Sequence, residues 1–179
     1  MKAAFRAIAS ALLLASAMSA CGAKLPPAVV APGAAHYPEF VFPALTPADS
    51  RLAELAGLHQ TGWAFLQAGD AGGAERTFQA VLKKSAAFYP SEAGLGYVEL
   101  SRKNYPQALG YFDRVLKDRA EYVPALVGRG QALLALVRDG EALATFEAAL
   151  RADPTLTDVS RRVEVLREAG RQLRTFNPQ

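Results

Sequence analysis

The sequence holds one cysteine, two histidines and one tryptophan in 179 residues. A single cysteine excludes an intrachain disulfide, so no covalent staple supports the fold. His36 and His59 share no metal-ligand spacing with Cys21 or with a carboxylate, and no metal is expected. Aromatic residues make up 9% of the chain while hydrophobic residues reach 51%, a balance that favours helices over sheets. Neither sign of charge dominates, with 20 Lys and Arg against 17 Asp and Glu. Such a near-neutral chain gives no electrostatic case for nucleic acid. Also missing are a Gly-x-Ser-x-Gly elbow, a phosphate-binding loop and paired carboxylates. Gly94–Glu99 and Gly128–Leu133 begin like Gly-x-Gly nucleotide loops but lack the third glycine. These absences point away from an enzyme, and no cofactor is expected.

What is present starts at the N-terminus. Lys2 and Arg6 precede an uncharged, largely apolar run from Ala7 to Ala20. The run is too short to span a bilayer as a permanent helix and suits the core of a signal peptide over residues 1–20. Met18-Ser19-Ala20-Cys21 resembles the lipobox of bacterial lipoproteins, with Met18 where leucine is more usual. That resemblance implies that Cys21 is lipidated and becomes the mature N-terminus. It also implies three acyl chains, where one alone holds only marginally. Gly22 after the cysteine implies the outer membrane, facing the periplasm. An ordinary secretory signal with a free or buried Cys21 is the alternative.

Residues 21–46 read as a proline-rich tether. Pro26, Pro27, Pro32, Pro38 and Pro43, with Pro47 just beyond, forbid a continuous helix. At ~3.1 Å per residue, an extended stretch of this kind holds a domain away from a membrane. Tyr37–Pro43, "YPEFVFP", is apolar for a linker. Either it docks on a partner, or Phe40 and Phe42 cover the exposed end of the domain that follows.

Beyond the tether the chain repeats itself. Ala74, Ala108 and Ala142 recur at a step of 34 residues, as do Phe78, Phe112 and Phe146. Leu82, Leu116 and Leu150 keep the same step, as do Gly62, Gly96 and Gly130, and Pro90 with Pro124. A small residue and a phenylalanine four positions on share one helical face. The period and these columns resemble the tetratricopeptide repeat, over roughly residues 53–154. The resemblance implies an all-α fold, a right-handed superhelical stack of about three helix–turn–helix units over residues 47–154. Phe65 and Leu133 fill the apolar slot after the glycine, but Glu99 occupies it in the second unit. The periodicity places first helices near 46–68, 90–102 and 123–136, with Pro47 at a favoured first-turn position of the first. It places second helices ending near 84 and running over about 105–118 and 140–152. A last helix near 157–174, within a capping segment 155–179, carries Val159, Val163, Leu166, Gly170 and Leu173 on one stripe. Arg161, Arg162, Arg167, Arg171 and Arg174 lie on its other face, as suits a helix that closes an open apolar end.

Repeats of this family bind partners rather than transform substrates. The resemblance implies a concave surface lined by the first helices, with an extended segment or helix of a partner protein laid along it. Carried over by register, the groove presents His59, Trp63 and Leu66, then Ala93, Tyr97 and Leu100, then Val127, Gln131 and Leu134. Trp63 and Tyr97 stand out as amphipathic aromatics, although ordinary packing between units explains them equally well. Repeats that clamp a peptide carboxylate carry Lys and Asn where this chain has His59 and Trp63. They carry further polar or basic residues where it has Gly94, Pro124 and Gly128, so that ligand class does not fit. The expectation is a membrane-tethered scaffold of the cell envelope that binds a protein partner. An accessory subunit that positions an envelope enzyme, such as a peptidoglycan hydrolase or protease, is the alternative.

Overall fold

The computed structural model describes residues 35–46 and 52–176, and among them no residue is in a strand. Seven helices follow in order: α1 (Ala56–Gln67), α2 (Ala71–Lys84), α3 (Tyr89–Ser101), α4 (Tyr105–Asp118), α5 (Val123–Ala135), α6 (Asp139–Ala152) and α7 (Thr157–Phe176). The pairs α1–α2, α3–α4 and α5–α6 are helical hairpins, each packed on the next, and α7 packs on α6. The first helix begins later than its periodicity predicts: Thr46 is not helical, and a 3₁₀ turn over 52–55 leads into α1. Residues 1–34, where the signal peptide and the lipidation of Cys21 are expected, lie outside the described residues.

The turns inside the hairpins are built alike. Each helix ends in a Schellman arrangement, seen in the bonds from Asp70 N–H to Phe65 O, Asn104 N–H to Glu99 O and Arg138 N–H to Leu133 O. The residue before each of these donors sits at positive φ: Gly69 at 81°, Lys103 at 64° and Val137 at 59°. Only the first is a glycine, the residue that takes this conformation without steric cost. Asp70 then caps α2 by accepting the Gly73 N–H at 2.8 Å. Pro90, Pro106 and Pro124 lie in the first turns of α3, α4 and α5, where a missing N–H costs nothing.

The core follows the repeated columns. Ala74, Ala108 and Ala142 are completely buried, as are Phe78, Phe112 and Phe146. The glycines give these rings their space. A Cβ on Gly62 would stand 2.7 Å from the Phe78 ring, and one on Gly94 2.8 Å from the same ring. Phe112 is held in the same way between Gly96 and Gly128, and Phe146 lies against Gly130. One step beyond Gly128 stands Arg162, so the glycine column stops where the stack stops. Glu99 explains its own departure. It is 9% exposed, yet its carboxylate accepts from Arg102 at 3.0 Å and from Asn104 at 2.8 Å. Arg102 also reaches Glu75 on α2 at 2.7 Å, tying the second unit to the first.

On α7, Val159 and Val163 are buried against the core, but Leu173 at the far end of the same stripe is 71% exposed. Its arginines are largely paired: Arg161 with Asp158, Arg167 with Glu147 on α6 and Arg171 with Glu168.

Candidate binding groove

Helices α1, α3 and α5 lie side by side and form the inner face of the stack. Along it runs a strap, residues 35–46 of the same chain. The strap starts at the C-terminal end of α1, where His36 N–H donates to Gln67 O at 2.8 Å. The Gln67 side chain accepts from Tyr37 N–H and donates to Tyr37 O, both at 3.1 Å. A turn closed by Phe40 N–H to Tyr37 O brings the chain back across the groove. Gln131 on α5 donates to Glu39 O at 2.9 Å, and Val41 N–H donates to the Tyr97 hydroxyl at 3.4 Å. Further along, His59 Nε2 donates to Pro43 O at 2.8 Å, and the Tyr122 hydroxyl donates to Ala44 O at 2.7 Å. Thr46 N–H ends the series on the Tyr89 hydroxyl at 2.9 Å. The strap therefore runs antiparallel to the three helices and touches each.

Its side chains fill aromatic subsites. Phe40 stacks on Tyr37, ring centroids 4.7 Å apart, and lies 4.8 Å from Tyr97. Phe42 sits between His59 at 5.4 Å and Trp63 at 5.6 Å. Trp63 in turn meets Tyr97 edge to face at 5.5 Å. Phe40 and Phe42 thus cover the repeat domain along its inner face and not over an end of the stack. The reason is local: this face offers aromatic surfaces and side chains that bond the strap's backbone.

His59 is 2% exposed and is held by Ser91 Oγ at 3.0 Å on Nδ1. Because the Pro43 carbonyl can only accept, the Nε2 proton is fixed, and Nδ1 accepts from the serine hydroxyl. Burial pushes the imidazole pKa down to about 4, against a smaller upward pull from the Pro43 carbonyl, so the ring is neutral at pH 7. Tyr97 is completely buried; it donates to Pro124 O at 2.8 Å, and burial raises its pKa. Burial likewise raises that of Tyr122.

The structure divides the residues assigned to the groove by register. His59, Trp63, Tyr97 and Gln131 touch the strap directly. Val127 borders a cavity of about 240 Å³ between strap, α5 and α7. Leu66, Ala93 and Leu100 are buried, and Leu134 packs half-buried against the core. Register alone missed Gln67, Tyr89 and Tyr122, which bind strap backbone from helix ends. The signal for Tyr89 and Tyr122 was an aromatic pair just before Pro90 and just before Val123-Pro124. Among the described residues no group of histidines, cysteines and carboxylates is arranged to hold a metal, and no helix is long and apolar enough to cross a membrane.

A model of the tetratricopeptide repeat family matches residues 59–122 and 93–156. No curated protein matches the chain. Among solved structures, the tetratricopeptide domain of Arabidopsis OM64 is 21% identical, with a TM-score of 0.59 over 65% of this chain and 97% of that one. The second such domain of human RPAP3, in complex with the HSP70 peptide SGPTIEEVD, is 19% identical, with a TM-score of 0.56 over 65% and 98%. The TPR2B domain of yeast Sti1, in complex with an Hsp70 peptide, is 16% identical, with a TM-score of 0.57 over 68% and 99%. At these identities the likeness concerns the fold.

Proposed function

This chain belongs to the tetratricopeptide repeat family, and from that premise we propose that it is a non-catalytic adaptor that binds a protein partner along its concave face. One observation carries the reading. The groove already holds a non-helical backbone segment, bonded by Gln67, His59, Tyr97, Gln131, Tyr122 and Tyr89. A surface that satisfies main-chain groups in this way is suited to a peptide segment. The peptide complexes of the RPAP3 and Sti1 domains agree with that use of the fold. Their ligand chemistry does not transfer, because His59 is neutral and enclosed and offers no charge to a carboxylate.

The test is the affinity of the natural partner for the intact protein. Trp63→Ala should weaken capture by about 2 kcal/mol, roughly thirtyfold, with helicity retained. Arg167→Ala with Arg171→Ala should change it little. If capture survives the first variant and fails in the second, binding belongs to α7.

Cys21 is proposed as a lipid anchor that holds the adaptor at the periplasmic face of the outer membrane. Its support is the apolar run and small residues directly before the sole cysteine. Cys21→Ser should release the exported protein from membranes and remove the lipid mass. Positioning of an envelope enzyme, a peptidoglycan hydrolase or protease, is one service such an adaptor performs.

A further inference from the structure

We infer that the strap is a resident ligand, and that the groove recognises partner segments of the strap's own chemistry: non-helical, and patterned aromatic–x–aromatic–proline with no charge between the first ring and the proline, as in Phe40–Pro43. The inference rests on the adaptor reading and names the partner for that site. Three observations support it.

The first is the mode of holding. Apart from a bond of the Tyr89 hydroxyl to Thr46 Oγ1, the hydrogen bonds from the groove to the strap described above run to its backbone, and backbone recognition accepts many sequences. Sequence enters through the ring subsites alone. Phe40 lies on Tyr97, Phe42 fits between His59 and Trp63, and Pro43 is enclosed. The side chains that bond the strap carry no charge, since His59 is neutral, so the subsites favour uncharged rings over acidic groups.

The second is how lightly the strap is seated. Pro43 alone of the described strap residues is buried, while Phe40, Val41 and Phe42 stay half-exposed. Phe78, Phe112 and Phe146 of the repeats, by contrast, have no exposed surface. Segments with little burial and no secondary structure open first and close again without loss of the fold.

The third is space. An open cavity of about 790 Å³ lies beside Ala44–Thr46, against Arg119–Pro124. The cavity of about 240 Å³ lies beside Pro38–Val41 at the other end, and Gln131, whose Oε1 is covered yet has no partner, borders it. Both cavities border the described strap residues.

A tether of a few residues gives an intramolecular ligand an effective concentration on the order of millimolar. A partner segment must outcompete it, and its apparent affinity falls by the fraction of time the groove is open. The experiment uses the full chain, a fluorescent peptide of residues 36–46 (HYPEFVFPALT) and anisotropy. The strap variant Phe40→Ala with Phe42→Ala should bind the peptide about tenfold or more tightly than wild type. A peptide with both phenylalanines replaced, and the acidic SGPTIEEVD, should not bind it. If the double variant loses helicity, Phe40→Ala alone replaces it, since that ring is half-exposed. Equal affinity of variant and wild type overturns the inference while leaving the groove a peptide site. Failure of the helical variant to bind, or equal binding of the acidic peptide, also overturns it. The adaptor reading then still stands or falls on Trp63→Ala and the natural partner. Peptide-independent dimers of wild type, seen by sedimentation, would assign the strap to a second copy and overturn the partner assignment.

Discussion

At the scale of single residues, His59 makes stability depend on pH. Unfolded, it titrates at its ordinary 6.5; folded, at about 4. Between those values the unfolded chain binds a proton that the folded chain refuses, so acid favours unfolding. Stability is intact above pH ~6.5 and falls by about 1.4 kcal/mol per unit, about 3 kcal/mol in all by pH ~4. Urea titrations at pH 7, 6 and 5 measure the slope. His59→Gln keeps a donor for Pro43 and should flatten it, leaving the part due to carboxylates; identical slopes would contradict the account. The sequence marked His59 as a groove residue by register, and in the structure its ring bonds Pro43 of the strap and Ser91. Its burial and tautomer were beyond reach, because they depend on Pro43 and Ser91, 16 and 32 positions away. Tyr97 teaches the reverse. Register put it beside Trp63, but its ring is enclosed by Phe40, Trp63 and Phe112, so truncating it removes core and groove together. Trp63→Ala is therefore the cleaner probe of binding.

At the scale of elements, the hairpin turns hold a correctable flaw. Val137, β-branched and 82% exposed, sits at φ 59°, where Gly69 stands in the first unit. A β-branched residue in the left-handed region carries steric strain of roughly 1–2 kcal/mol. Val137→Gly should relieve it and, after the backbone entropy of glycine, raise stability by about 0.5–1 kcal/mol. A higher thermal midpoint checks this; a lower one would mean that the valine side chain makes a contact worth more than the strain. Helices were legible because alanine, phenylalanine and glycine columns repeat, and the period set α4 at Tyr105–Asp118 as observed. The strap was not, since it has no second copy to align. Its bonds span 56, 78 and 92 positions to Tyr97, Tyr122 and Gln131, and periodicity carries no information at such separations. The start of α1 was drawn ten residues too early, at Thr46 instead of Ala56, because Pro47 looked like a residue of a helix's first turn.

At the scale of the whole molecule, three units of like architecture leave an open end that α7 closes. Val159 and Val163 do this work, while Leu173 stays exposed. Val163→Asp should therefore cost about 3 kcal/mol or more, the penalty for a buried carboxylate without a partner, read as a lower urea midpoint. Leu173→Asp, on the exposed part of the same stripe, should change little. The pairing of Arg167 with Glu147 fits a solvated outer face for this helix. A stack of repeats has contacts mainly between neighbours, so each hairpin can fold as soon as it exists. The strap does not follow that order. It precedes every wall of its own groove in the chain, and Gln131 comes 92 residues after Glu39. At ~5–20 residues per second, a ribosome takes roughly 5–20 s to make the difference. During that interval the strap is outside and the groove is unfinished, so each newborn molecule carries its ligand before it has a receptor.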